Sequence, residues 1–170
     1  MSLVILEAAD ARSFSQFGSL LREYMASLSF SLDFQDTDRE LASLEHEYGP
    51  PSGVALLAVE GDLALGCVGV RRLEGEVAEL KRMYVSPEAR GRGIGRGLCE
   101  AALAAARRLG YASIRLDTVA EMTAAARVYE AAGFHAIPAY RENPLPTARF
   151  YERSLSEGVA APAGLSEGPA

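Results

Sequence analysis

The sequence predicts an α/β fold built on one mixed, mostly antiparallel sheet with helices on both faces. Three observations carry this. Between Val54 and Val85, three β-like runs follow one another with only short turns between them. Helical periodicity flanks that stretch on both sides, from Phe14 to Leu28 and in the Ala- and Leu-rich run that ends at Leu109. Finally, 170 residues with 49% hydrophobic content suffice for a single core. A chain of this size buries about 70% of the surface it exposes when unfolded, without a disulfide or metal.

Taken in order, Val4 to Glu7 is a short apolar strand, and Asp10 offers a side-chain acceptor to cap a helix from Ala11. Phe14, Phe17, Leu20, Leu21, Tyr24, Met25 and Leu28 recur at three- and four-residue steps, which gives that helix one apolar face. A second helix starts at Asp36 or Thr37, with Glu40 placed as in a capping box, and stops at Gly49-Pro50-Pro51. Val54 to Glu60 and Leu65 to Arg71 turn at Gly61-Asp62, and Val77 to Val85 follows Glu74-Gly75-Glu76, an antiparallel meander. Ser86-Pro87 ends it, and Gly97 to Leu109 is a helix stopped by Gly110. Ser113 to Asp117 is a strand and Thr123 to Ala132 a helix ended by Gly133. Phe134 to Ile137 and Ala148 to Ser154 are the last strands, around Asn143-Pro144-Leu145-Pro146. Residues 1–155 form one domain, and the small, Pro/Gly-rich residues 156–170 are expected to be a flexible tail.

Composition narrows the function. A net charge of −6 argues against broad nucleic-acid binding, which needs a surplus of Lys and Arg on one face. No run approaches the ~18 apolar residues of a membrane span, and Met1 to Asp10 lacks the basic flank of a signal peptide, so a cytoplasmic protein with no membrane partner is expected. Cys67 and Cys99 sit in apolar runs and read as free buried thiols, while His46 and His135 are isolated, so no metal site is expected. Positive charge is concentrated at Arg82, Arg90, Arg92 and Arg96, which predicts a small anionic ligand there.

That cluster surrounds four alternating glycines, Gly91, Gly93, Gly95 and Gly97, between a strand and a helix. Such a junction presents unpaired backbone N–H groups at the positive end of a helix dipole, a site for phosphate oxygens. The dinucleotide pattern Gly-x-Gly-x-x-Gly fails in every frame, and the P-loop fails because Lys81, the only lysine, precedes the glycines. What remains is Arg-x-x-Gly-x-Gly at Arg90, Gly93 and Gly95. This resembles the pyrophosphate-binding signature of the GNAT superfamily of acyl-CoA-dependent N-acyltransferases. Ala125 to Phe134, a helix carrying a Tyr and ending in Gly-Phe, is similar to that family's second signature.

The resemblance spans Val4 to Leu155 and implies a GNAT-type fold with splayed central strands. Met83, Tyr84 and Val85 would then line the pantetheine arm of acetyl-CoA, and Arg90, Gly91, Arg92, Gly93, Ile94, Gly95 and Arg96 would take its pyrophosphate. The implied reaction is direct attack of a primary amine, from a small molecule or peptide, on the thioester. Glu79 is the candidate base and Tyr129 the candidate proton donor to the leaving thiolate. Alternation puts Glu79 with Lys81 and Met83 on one face unless a bulge intervenes. Each role has a plainer reading: Glu79 as a surface ion pair, Tyr129 as core. Lys81 and Arg82 either orient an acidic substrate or merely decorate the sheet. Many relatives carry Asn where this chain has Met122, so Thr123 either replaces that contact or caps the helix. The acceptor would be set by the N-terminal helices, Ser27 to Asp36 and Tyr140 to Thr147, whose Tyr140-Arg141-Glu142-Asn143 suits a small polar or carboxylated amine. A non-catalytic acyl-CoA sensor, an acyltransferase for longer acyl groups and a homodimer through open sheet edges are alternatives the sequence leaves open.

Overall fold

The computed structural model describes residues 1–31 and 36–156, so nearly all of the tail expected at 156–170, and part of the expected acceptor segment Ser27 to Asp36, lie outside the described residues. Its elements run β1 (Leu3–Glu7), α1 (Ala11–Ser27), α2 (Thr37–Ala42), α3 (Leu44–Glu47), β2 (Val54–Glu60), β3 (Leu63–Glu74), β4 (Val77–Val85), a 3₁₀ turn (Pro87–Ala89), α4 (Ile94–Arg108), β5 (Ser113–Val119), α5 (Thr123–Ala131), β6 (His135–Ile137) and β7 (Ala148–Ser154). The strands form a seven-stranded sheet in the order β1-β2-β3-β4-β5-β7-β6. Every neighbour pairs antiparallel except β4 with β5. The mixed, mostly antiparallel sheet expected from the sequence is therefore present.

Each face carries its own core. On one side Phe14, Phe17, Leu20 and Leu21 of α1 pack with Leu57, Cys67 and the fully buried Tyr48. On the other, Leu98, Cys99 and Ala102 of α4 and Tyr129 of α5 cover Leu56, Val68, Leu80 and Ile114. Both cysteines are free and buried.

Three local expectations need correction. Thr37 to Glu40 forms no capping box: Asp36 is the N-cap in left-handed backbone and makes no side-chain cap bond. Glu40 is instead buried, accepting from Tyr48 Oη at 2.6 Å and Arg82 Nε at 2.8 Å. The helix expected from Gly97 begins at Ile94, so Gly95 and Gly97 lie inside its first turn. The strand pattern also breaks at Arg82, which holds φ +60°. Between the pairs Gly69–Lys81 and Cys67–Tyr84, Arg82 and Met83 together oppose the single residue Val68, which is a β-bulge. Glu79 and Lys81 keep a common face, whereas Met83 moves to the α4 side.

The feature that makes room for a ligand is the parting of β4 from β5. They pair parallel only through Val77–Ser113, Ala78–Ile114 and Glu79–Arg115. Beyond Glu79, β4 keeps its β3 partner and β5 runs on against β7, so a wedge opens between them.

Gly69 is required by packing, because a Cβ there would fall 2.5 Å from the ring of Tyr48. Gly69→Ala should destabilise the protein by about 1–3 kcal/mol, read as a lower urea midpoint with an unchanged slope. An unchanged midpoint would mean that the Tyr48 ring shifts at no cost.

Candidate active site

The wedge holds two cavities that meet. The outer one is a cleft of about 540 Å³ between β4, the glycine loop, the end of α1 and the start of α5. The inner one is a pocket of about 60 Å³ reaching down between β4 and β5. Tyr24, Met83, Met122 and Ala125 belong to the walls of both.

Met83, Tyr84, Val85, Arg90, Gly91, Gly93, Ile94, Gly95 and Arg96 all line the outer cleft. Arg92 does not, and pairs with Glu60 at 2.5 Å. Gly91 at φ +83° and Gly93 at φ +77° need the left-handed backbone that glycine tolerates, and a Cβ at either would meet nothing within 4 Å. Gly93 is the N-cap of α4, and the first helical bond runs from Gly97 N to Gly93 O at 3.1 Å. The amides before it lack intrahelical acceptors and sit at the positive end of the dipole. Arg90 is fixed beside them: its Nε donates to Val85 O at 3.0 Å, and its guanidinium lies 5.9 Å from the Tyr84 ring centre. Tyr84 in turn donates to Glu23 Oε1 at 3.0 Å. These residues fit a pyrophosphate, with open space and free donors where its oxygens would lie.

The inner pocket gathers Lys81 and Arg82 from β4, Asp117 from β5, Tyr129 from α5 and Asn143 from the Pro-rich connection. Lys81 is 4% exposed; burial lowers its pKa to about 8, against the pull of Glu79 4.0 Å away. Asp117 accepts from Asn143 Nδ2 at 3.1 Å. Tyr129 packs edge-on to Phe134, with centroids 5.7 Å apart. Its phenol is raised well above the ordinary value, first by burial and then by Tyr24, Cys99 and Asp117, so it stays un-ionised.

Glu79 lies behind this pocket and lines neither cavity. It is fully buried rather than a surface ion pair. Oε1 accepts from Arg71 Nε at 3.2 Å, and Oε2 accepts from Tyr140 Oη at 2.9 Å and from Arg141 Nη2. Burial alone would raise its pKa, but Lys81, Arg141, Arg71 and Tyr140 outweigh that and hold it below the ordinary carboxylate value.

The N-terminal helices and the loop holding Asn143 were expected to shape the acceptor site, and Tyr24 and Asn143 do line the inner pocket; sequence reasoning missed Asp117 and the particular place of Tyr24. Tyr24 looked like one more apolar position in a helix, although its hydroxyl lies 3.9 Å from Met122 Sδ. Thr123 is the first residue of α5 rather than its cap, which is Met122, with no side-chain cap bond.

Comparison with known proteins agrees with this fold. The model of the Acetyltransferase (GNAT) family matches residues 18–134. An uncharacterized N-acetyltransferase of Schizosaccharomyces pombe is 38% identical over 143 residues, 83% of this chain and 88% of that protein. Among solved structures, an acetyltransferase of the GNAT family from Staphylococcus aureus superposes with TM-score 0.75 at 22% identity, over 91% of this chain and 99% of that one. A Salmonella typhimurium protein solved with its cofactor acetyl-CoA gives TM-score 0.68 at 19% identity, over 96% and 100% of the two chains.

Because Lys81 is the only lysine, its titration can be followed without assignment. Amine-selective NMR should give a pKa of about 8. Glu79→Gln should lower it further by removing the neighbouring negative charge. No change in Glu79→Gln would mean that the two groups do not interact.

Proposed function

Since the chain belongs to the GNAT acetyltransferase family, we propose that it binds acetyl-CoA in the outer cleft and transfers the acetyl group to a primary amine seated in the inner pocket. The observation that carries this reading is the shared wall of the two cavities at Tyr24, Met83, Met122 and Ala125. A thioester reaching in from the glycine loop and an amine held between β4 and β5 would meet there. The solved relative that holds acetyl-CoA supports the choice of cosubstrate.

In this reading the pyrophosphate lies on the amides between Gly91 and Arg96, with Arg90 adding charge-assisted bonds. The pantetheine arm would run along β4 at Met83 to Val85, on the side from which β5 has parted and where no strand takes the outward-facing backbone groups. The bound thioester supplies the acetyl group, and its sulfur leaves as the CoA thiol.

An amine attacks only when neutral, so the chain must take a proton from the incoming ammonium. From the sequence, Glu79 was the candidate. The geometry favours Lys81, which reaches the pocket wall and whose pKa of about 8 leaves a usable neutral fraction at neutral pH. Glu79, ionised and held by Arg71, Tyr140 and Arg141, is proposed as the positioning residue that fixes Lys81. Of the two protons the ammonium gives up, one ends on the sulfur and one leaves through Lys81. With its pKa raised, Tyr129 is a hydrogen-bond donor to the departing sulfur rather than a source of its proton.

Calorimetry tests the cofactor first. Acetyl-CoA should bind the wild type, and Gly93→Glu should weaken it by ~30-fold or more, because a carboxylate would face the phosphates. Absence of wild-type binding would discard the reading. Binding without CoA release on any amine would favour a sensor.

The pH profile of kcat should rise to a plateau at a pKa of about 8. Lys81→Met should remove that limb, and Glu79→Gln should move it to lower pH. A limb unchanged in Lys81→Met would return the base role to another group. Tyr129→Phe should lower kcat by about 10-fold with KM little altered. Loss of stability alone would make Tyr129 a packing residue.

A further inference from the structure

The inner pocket carries an unused cationic donor. The side chain of Arg82 is 4% exposed, and its Nε is committed to Glu40 Oε2 at 2.8 Å. Glu40 is in turn fixed by the Tyr48 hydroxyl on its other oxygen. Arg82 Nη2 is buried and has no hydrogen-bond partner among the described residues. Buried polar groups in native proteins nearly always find partners, and an orphaned donor on a cation is among the more costly exceptions. Arg82 belongs to the pocket wall beside Lys81, and Tyr24 of the same pocket lies within its electrostatic reach.

The opposite wall has the complementary sign. Asp117 Oδ2 accepts from Asn143 Nδ2 at 3.1 Å, and Asp117 belongs to the wall of the same pocket. Arg82 on the β4 side and Asp117 on the β5 side both wall this space of about 60 Å³. An amine that carries its own carboxylate would give the unpartnered Arg82 donor an acceptor, which a simple amine would not.

We infer that the acceptor is a small primary amine that also bears a carboxylate, its carboxylate held by Arg82 Nη2 and its amine end directed by Asp117. This rests on the transferase reading above and names the substrate class for that same pocket. Arg82 acts here as a specificity residue: it sets which amine is held and takes no proton. Its pairing with Glu40 serves to aim the second arm of the fork, since a guanidinium anchored through Nε presents Nη2 in a fixed direction.

The test uses the full chain, acetyl-CoA and matched amines in a thiol-release assay. The panel sets free amino acids against their primary amides and their decarboxylated amines, with a peptide whose free N-terminus is remote from any carboxylate. The wild type should prefer each acid over its amide by ~30-fold or more in kcat/KM, because a site built to bond a group rejects the analogue that lacks it. In Arg82→Lys, which keeps a charge for Glu40 but lacks the second arm, that ratio should fall by about 10-fold or more. A thermal melt establishes that this variant is folded. A second readout needs no turnover: with CoA present, the N-acetyl amino acid should bind by calorimetry more tightly than its amide. Equal use of acid and amide, preference for the decarboxylated amine or the peptide, or an unchanged ratio in folded Arg82→Lys would overturn this inference while leaving the transferase standing. If acetyl-CoA binds but no amine releases thiol, the transferase reading fails and this one fails with it.

Discussion

The constraint on which the rest of the molecule depends is the failure of β4 and β5 to stay paired beyond three residues. Backbone N–H and C=O groups demand partners, and a sheet usually supplies them along its whole length. Here the inner edge of β4 past Glu79 and the adjacent part of β5 diverge, and the space between them becomes both cavities. The bulge at Arg82 accompanies the divergence. It lets β4 hold its register with β3 at both ends while it redirects Met83 to the α4 face. The glycine loop at the end of β4 then lies where the wedge is widest, with the amides of α4 at its mouth.

A second theme is buried charge. Glu40 and Glu79 are each almost wholly removed from solvent, and each is satisfied from several directions. Burying such ions is offset only when the geometry is good and the remaining lone pairs are bonded, and both carboxylates meet that condition. They also tie distant parts of the chain together. Glu40 links α2 to β4 through Arg82, and Glu79 links β3 and β4 to the connection at Tyr140 and Arg141. The walls of the pocket are thereby referenced to the rigid centre of the sheet rather than to surface loops.

Much of this was legible before any coordinates. The meander was written in period-two runs separated by Gly61-Asp62 and Glu74-Gly75-Glu76, both local signals. The glycine loop was equally plain, because phosphate cradles need small residues beside a helix start. The start of α4 at Ile94 was hidden because glycines inside a first turn read as loop. Glu40 imitated a capping box, and only the fold, by bringing Tyr48 and Arg82 to it, shows that its carboxylate is spent inside. The positive φ at Arg82 has no sequence signal at all, since arginine does not favour that backbone. Asp117, Asn143, Tyr24 and Arg82 are dispersed along the chain, and no pattern marks them as neighbours.

One feature of the composition gains meaning from where its single instance sits. Every Lys or Arg in the chain except Lys81 is arginine, and Lys81 is sealed at 4% exposure in the wall of the pocket. Guanidinium groups stay protonated and are poor nucleophiles toward thioesters, whereas surface lysines acylate slowly in the presence of activated acyl donors. The exterior thus offers no side-chain amine among the described residues. A reagent that acylates side-chain amines therefore finds no target on that exterior, and the charge there is unchanged by exposure to one.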